Sequence, residues 1–337
     1  MSAARSLVSR LIPPLSGHWH KGQQGRVGVL GGSFEYTGAP FYAGMSSLKT
    51  GADLCHLFCV EEAAVPIKSY SPELIVHPLL RSDAALAGLD ESRRAVVLAE
   101  AVERIAQVLP RLDTLVIGPG LGRDASVQEI TRQIIAKAKE ANLPLVLDGD
   151  ALYLVSLEPE TIKGYKNAIL TPNAMEYARL CATTRLLPNV DVAQAAKIPP
   201  AQLSEALGFP VVIQKGSVDT FSDGKITLKN DEFGCPRRCG GQGDVLSGAI
   251  GTFSAWTKHL DLSNVDFTGN PLLLAAYGGS LVTRASASLA FDEHQRSMTA
   301  PDVLHNVGKG FVKAETKDDL VLPSPLSSHD GTPPLSY

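Results

Sequence analysis

The amino-acid sequence predicts an α/β fold built on a central, mostly parallel sheet, and three observations predict it. Residues 26–60 run strand, helix, strand, the pattern of a parallel pair joined by a right-handed crossover. Short apolar runs then recur along the chain, each closed by glycine, Asp, Asn or Lys. The hairpin signal Asp223-Gly224 makes the sheet mostly rather than wholly parallel.

The elements follow in order. Arg26–Leu30 reads as a buried strand ending in Gly31-Gly32-Ser33, and the loop Phe34 to Pro40 leads to a helix over Tyr42–Lys49. Thr50-Gly51 stops that helix, and Ala52–Val60 resumes as a strand. Residues 61–100 hold one or two helices and a strand among Pro66, Pro72 and Pro78. Thr114–Ile117 is a strand ending in Gly118-Pro119-Gly120-Leu121-Gly122-Arg123. A helix over Ser126–Asn142 buries Val127, Ile130, Ile134 and Ile135. Leu145–Leu147, Ala168–Leu170 and Val211–Gln214 are strands closed by Asp148-Gly149-Asp150, Thr171-Pro172-Asn173 and Lys215-Gly216. Thr220–Phe221 and Ile226–Leu228 form the hairpin. Pro271–Phe291, rich in Ala, Leu and Gly, is an internal helix, and Thr299 caps a last helix with Pro301 in its first turn. The division expected is an N-terminal arm over 1–20, one catalytic domain over 21–318, and a Ser/Pro-rich disordered tail over 319–337.

Composition bounds the function. The chain has 337 residues, 44% hydrophobic and 20% charged, which is an ordinary globular profile. A net charge of -4 argues against nucleic acid or an anionic membrane as main partner, and 6% aromatics are too few for base stacking. No apolar run approaches the ~20 residues of a membrane-crossing helix. Five cysteines suit a reducing compartment. Cys55 and Cys59 share a strand and would stand about 13 Å apart, too far for one zinc. Arg5 and Arg10 without an acid faintly resemble a transit peptide, while Leu7, Val8, Leu11 and Ile12 suit a docking helix. The docking helix is the reading adopted, and with it a cytoplasmic protein; mitochondrial targeting is the alternative.

The stretch Arg237-Arg238-Cys239-Gly240-Gly241-Gln242-Gly243-Asp244 organises the rest. Three glycines in four positions run into a helix whose Val245, Leu246, Ala249, Ile250, Phe253 and Trp256 fall on one face. Such a glycine loop at a helix N-terminus is an anion site, because unpaired N–H groups and the helix dipole converge there. Asp244, a carboxylate in that first turn, suits a proton acceptor or a metal ligand; an ordinary helix-start acid is the plainer alternative. The dipole should lower its pKa. Glycines and acids after the strands, Gly31-Gly32-Ser33, Gly118–Gly122, Asp148, Asn173 and Lys215-Gly216, should line one crevice along the sheet edge. Asn173-x-x-Glu176 opens a helix, and Glu176 either holds Mg²⁺ through water or caps the helix.

Other chemistries lack their motifs. Gly118-Pro119-Gly120-Leu121-Gly122 has the wrong spacing for a dinucleotide fingerprint, and no G-x-x-x-x-G-K-[ST], H-E-x-x-H or G-x-S-x-G is present. Phosphoryl transfer without a P-loop remains, with Gly240–Gly243 as cradle and Asp244 as base.

Gly240-Gly241-Gln242-Gly243-Asp244 resembles the G-x-G-D anion hole of ribokinase-like kinases, and Asn173-Ala174-Met175-Glu176 their N-x-x-E magnesium motif. With His20–Arg26, Tyr36–Pro40, Lys49–Asp53, Gly118–Arg123, Asp148–Asp150 and Thr171–Asn173, the chain resembles the ATP-dependent (S)-NAD(P)H-hydrate dehydratases, in a fungal-type eukaryotic form. The resemblance spans Lys21 to Lys313. It implies a ribokinase-like three-layer αβα fold and a reaction in which ATP phosphorylates the ring hydroxyl of NADH or NADPH hydrate before phosphate leaves. It places the hydrate at Gly120, Asn173, Ala174, Met175, Glu176, Tyr177, Ala178, Arg179 and Asp244. It places ATP at Lys215, Gly216, Ser217, Val218 and Asp219 and at Gly234, Cys235, Pro236, Arg237, Arg238, Cys239, Gly240, Gly241, Gln242 and Gly243. Many relatives carry a charge at the third or fourth position of the 215–219 loop, where Ser217 and Val218 stand. Mg²⁺ and a separate epimerase complete the implied partners, and a homo-oligomer is compatible with it. A vitamin-precursor kinase is the alternative enzyme; a non-catalytic nucleotide-binding module and an NAD-dependent oxidoreductase stand further off.

Overall fold

The computed structural model describes residues 3–15, 19–260 and 267–316, so the tail over 319–337 lies outside the described residues. The helix α1 (Ala3–Ser9) precedes β1 (Arg26–Leu30), α2 (Gly38–Thr50), β2 (Leu54–Val60), α3 (Glu61–Tyr70), β3 (Ile75–Leu80) and α4 (Glu91–Ala106). Next come β4 (Thr114–Ile117), α5 (Ala125–Glu140), β5 (Leu145–Leu147), α6 (Gly149–Leu157), β6 (Ala168–Leu170) and α7 (Ala174–Thr183). Short α8 (Val192–Ala195) and α9 (Pro200–Ala206) lead to β7 (Val211–Gln214), β8 (Asp219–Ser222) and β9 (Thr227–Asn230). The chain closes with α10 (Gln242–Trp256), α11 (Pro271–His294), α12 (Ala300–His305) and α13 (Val307–Thr316).

Among the described residues, nine strands make one sheet in the order β3-β2-β1-β4-β5-β6-β7-β8-β9. Neighbours from β3 through β7 pair in parallel, and β7, β8 and β9 pair antiparallel. Every residue of β4, β5 and β6 is buried, as expected where helices cover both faces of a parallel sheet. The predicted architecture and the late hairpin are therefore both present.

Three elements differ from the sequence reading. Helix α2 begins at Gly38, taking in the Gly-Ala-Pro read as loop, because Pro40 in a first helical turn forfeits no hydrogen bond. Gly51 still stops it: at φ +128° its N–H reaches the carbonyls of Leu48 and Ser47. Helix α10 buries every residue from Val245 to Trp256 rather than one face, because it is packed between α2 and α11. Two hydrogen bonds tie it to α2: Thr252 Oγ1 donates to the Ser47 carbonyl, and Ser46 Oγ to the Val245 carbonyl. Finally, the capping-box helix after Thr299 is not the last; α13 follows it after Asn306.

The N-terminal arm docks. Val8 is 5% and Leu11 0% exposed, α1 lies on α11, and Arg5 Nη2 donates to Glu232 Oε2 at 2.6 Å. The five cysteines are unpaired thiols, with Cys55 and Cys59 both buried on β2. No helix among the described residues is long and apolar enough to cross a membrane.

Candidate active site

The strand order runs from β1 to β2 on one side and to β4 on the other, so the topology switches between β1 and β4. Ligands of open α/β sheets sit outside the carboxyl ends of strands at such a point. The loops after β1, β4, β5, β6 and β7 are consecutive along this edge, which brings Gly31-Gly32, Gly118–Gly122, Asp148, Asn173 and Lys215 into one row. The Gly32 N–H lies 3.1 Å from the carbonyls of both Pro119 and Gly120, tying the first two loops together. Gly118 shows why the row is glycine-rich: a Cβ there would stand 1.7 Å from the Asp148 carbonyl oxygen.

Across this row stands the N-terminus of α10. Its N-cap is Gly241 at φ +94°, and no side chain caps the helix. A Cβ on Gly241 would meet Ala300 Cβ at 2.5 Å and the Tyr42 ring at 3.2 Å, so glycine is required twice over, by conformation and by space. Without a side chain at the N-cap, the turn offers N–H groups to an incoming anion, apart from the Asp244 N–H, which meets its own carboxylate. Asp244 occupies the third position of that turn. A Cβ on neighbouring Gly243 would lie 4.0 Å from both Asp148 Oδ2 and Lys215 Nζ, so those two charges meet at the same turn.

The expectation that the dipole lowers the Asp244 pKa is overturned. Burial first, and the Asp148 carboxylate second, push it up to about 7, against the opposing pull of Lys215 and a backbone N–H. Asp148 is itself 6% exposed, and its Oδ1 accepts the Thr171 hydroxyl at 2.8 Å. A carboxylate poised near neutral pH is a better general base than the weakened one expected.

On the facing side, Asn173 Oδ1 accepts the N–H groups of Met175 and Glu176 at 3.0 Å each, and the Asn173 N–H donates to Glu176 Oε2 at 2.8 Å. That is a complete capping box, so the capping role of Glu176 is realised. Burial raises the Glu176 pKa, and Asp148 and Asp150 add to the rise, while the Asn173 N–H and Lys215 oppose it. Asn173, Ala174 and Met175 are exposed, but Tyr177 and Ala178 are 3% and 0% exposed, and the Tyr177 hydroxyl donates to the Ile198 carbonyl. The helix turns those two side chains into the core. Arg179, one turn on, is half-buried.

A cavity of about 570 Å³ opens between these two helix ends. It collects Lys215, Gly216, Ser217, Asp219, the run Gly234 to Arg238, Gln242 and Gly243, with Asn173 and Ala174 at one side. Val218, Cys239, Gly240 and Gly241 do not line it, and Val218 is 40% exposed. Cys239 Sγ and Cys235 Sγ lie 3.2 and 4.0 Å from Gln242 Nε2. Phe233, Ser280, Thr283 and Arg284 also line the cavity and escaped the sequence reading. Arg284 had a signal, being the one charged residue between Pro271 and Phe291 in an otherwise apolar helix; a buried arginine requires partners.

A model of the NAD(P)H-hydrate dehydratase family matches residues 27–309. The chain belongs to that family. It is 43% identical over 313 residues to the ATP-dependent (S)-NAD(P)H-hydrate dehydratase of Batrachochytrium dendrobatidis, covering 92% of this chain and 97% of that one. The zebrafish (Danio rerio) enzyme of the same name is 44% identical over 309 residues, covering 91% and 87%. These identities do not separate the two lineages, so a fungal-type form is not distinguished. Among solved structures, a ribokinase-like superfamily protein of Enterococcus faecalis superposes with a TM-score of 0.68 at 21% identity, over 92% of this chain and 94% of that one. The ADP/ATP-dependent NAD(P)H-hydrate dehydratase of Bacillus subtilis, co-crystallised with ATP and Mg²⁺, gives 0.63 at 21% identity over 92% and 97%. The family's fold is thus the ribokinase-like one, and the sheet described above is its frame.

Proposed function

We propose that this chain restores NADH and NADPH from the S epimers of their hydrates at the expense of ATP. The observation that carries the reading is Asp244, partly buried, raised to about 7 and set in the uncapped first turn of α10 beside the cavity. The family's name and the 43% identical relative supply the substrate class.

In this reading ATP occupies the cavity with its terminal phosphate at the α10 N-terminus. The substrate hydroxyl, placed between Asp244 and Gly120, attacks that phosphorus as Asp244 takes its proton, and ADP leaves with the cleaved bond's electron pair. The bound anion is met by first-turn N–H groups and Lys215, which stabilise charge where it develops. Loss of phosphate from one ring carbon and a proton from its neighbour then restores the double bond. Phosphate is a far better leaving group than hydroxide.

Asp148, Glu176 and Asp244 offer hard oxygen donors around Lys215, although no group of three ligands forms a closed metal site among the described residues. That suits Mg²⁺, which keeps its waters and binds through one or two carboxylates plus phosphate oxygens. Glu176 would hold it through water, and the ion would neutralise charge on the phosphates. Residues 21–318 act as one catalytic domain, supported by the family match over 27–309 and by one continuous sheet. Because an S-specific enzyme leaves the R epimer untouched, a separate epimerase is its expected companion. Five unpaired thiols favour a reducing compartment such as the cytoplasm.

The test is to incubate the protein with ATP, Mg²⁺ and NADH hydrate while following the absorbance of reduced nicotinamide. Recovery of NADH with stoichiometric ADP and phosphate is expected. A stable phosphorylated product without NADH would replace the dehydratase reading by a kinase.

A further inference from the structure

Two loops form the far wall of the cavity. Residues 215–219 link β7 to β8, and residues 231–238 leave β9 towards α10. Strand pairing between them stops at Asp219 and Asn230; beyond it the carbonyls of Gly216, Ser217 and Glu232 turn to one side chain. Arg284, from the middle of α11, donates Nη1 to the Gly216 carbonyl at 3.1 Å, Nη2 to Ser217 at 2.5 Å and Nε to Glu232 at 2.5 Å. Its Nη1 also pairs with Asp219 Oδ1 at 3.2 Å, with only 16% and 8% of the two side chains exposed.

The network closes on itself. Asp219 Oδ1 accepts the Gly216 N–H at 2.9 Å, and its Oδ2 accepts the Ser280 hydroxyl at 2.8 Å. Asn230 Nδ2 donates to Ser280 at 2.9 Å, and Asn230 Oδ1 accepts the Glu232 N–H at 3.0 Å. Asp219 is thereby fixed to its own loop and to α11, so the carboxylate placed at ATP by resemblance is occupied within the protein. Beyond the ring, Arg5 holds Glu232 from the docked α1, outside the 27–309 stretch that matches the family.

We propose that Arg284 is a positioning residue for ATP: its guanidinium fork sets the spacing of the two loops that grip the nucleotide, and Arg5 braces the outer loop from the N-terminal arm. This rests on the cavity being the nucleotide site. Only the planar guanidinium can serve three carbonyls and a carboxylate at once; a lysine offers a single point of charge. The four interactions use most of its five N–H donors, so it acts through the loops rather than through the phosphates. Asp244 and Asn173 lie on other elements, and the reacting end of the site should be left in place.

Steady-state kinetics and calorimetric titration with ATP–Mg²⁺ alone test this. Arg284→Ala should raise KM and Kd for ATP about tenfold or more. The KM for the hydrate and kcat at saturating ATP should stay within about threefold. Arg284→Lys should fall between the two. Arg5→Gln, which leaves the ring intact, should raise KM for ATP by about two- to threefold. A merely structural role would instead lower kcat through lost active protein and move neither constant. Unchanged ATP affinity in Arg284→Ala, or an equal rise in the hydrate KM, would overturn the proposal. Should Arg284→Ala fail to fold, the Arg284→Lys titration decides in the same way. Absence of NADH recovery by the wild type counts against the proposed reaction alone, since the titrations read ATP affinity without the hydrate.

Discussion

Helices α7 and α10 both begin at the crevice, and both carry an acid at the third position of the first turn. Their fates differ because of one residue, the N-cap. In α7 it is Asn173, whose amide oxygen takes two N–H groups while Glu176 returns the favour to its backbone. In α10 it is Gly241, which has no side chain and cannot acquire one against Ala300 and Tyr42. A capped turn satisfies itself and holds its acid in place; an open one keeps its donors, and its acid, for a ligand. Position in the first turn therefore does not make an acid catalytic. What distinguishes the two turns is the side chain present at one cap and missing at the other.

The largest expected effect breaks this contrast directly. Asp244→Asn keeps shape and burial but removes the proton acceptor, so kcat for NADH recovery should fall by about 10²–10⁴, while ATP titration stays near wild type. Loss of the buried charge should also leave the fold at least as stable by thermal melting. Wild-type turnover in this variant would show that α10's acid is as structural as that of α7.

The second effect concerns the cause of the raised Asp244 pKa. With burial and Asp148 pushing it to about 7, activity should fall as pH drops through that value, because the base becomes protonated. Neutralising Asp148 as Asp148→Asn removes a like charge, so the acidic limb of the pH–kcat profile should move to lower pH. A limb that stays fixed would remove Asp148 from the causes and leave burial and Glu176.

Much of this was legible in the sequence, and the reason is locality. Strand ends such as Leu30-Gly31 and Leu147-Asp148 declare themselves through an apolar run and its stop, and the sheet turns that list into a row. The α10 loop is likewise local, with Gly241 beside its own helix. What stayed hidden depends on partners far along the chain. The sign of the Asp244 shift needed its burial first and then Asp148, which the β5 edge brings near. The inward turn of Tyr177 needed the Ile198 carbonyl, and the role of Arg284 needed three loop carbonyls from other elements. Helix α2's early start was masked by Gly38 and Pro40, residues read as loop although Pro40 in a first helical turn forfeits no hydrogen bond.

The smallest effect probes the acid that the cap already employs. Glutamine also serves at the third position of a capping box, since its side-chain oxygen can accept the Asn173 N–H. Glu176→Gln therefore removes charge while keeping the cap, and its melting temperature should stay within about 2 °C of wild type. If Glu176 orders the magnesium shell, the Mg²⁺ concentration for half-maximal activity should rise by about three- to tenfold, with kcat at saturating Mg²⁺ within about twofold. Glu176→Ala should add a loss of about 1 kcal/mol in stability, because it abolishes half of the box as well. An unchanged Mg²⁺ dependence in Glu176→Gln would leave this acid with capping as its whole function, and the two helix ends would then divide cleanly into one that builds the site and one that works in it.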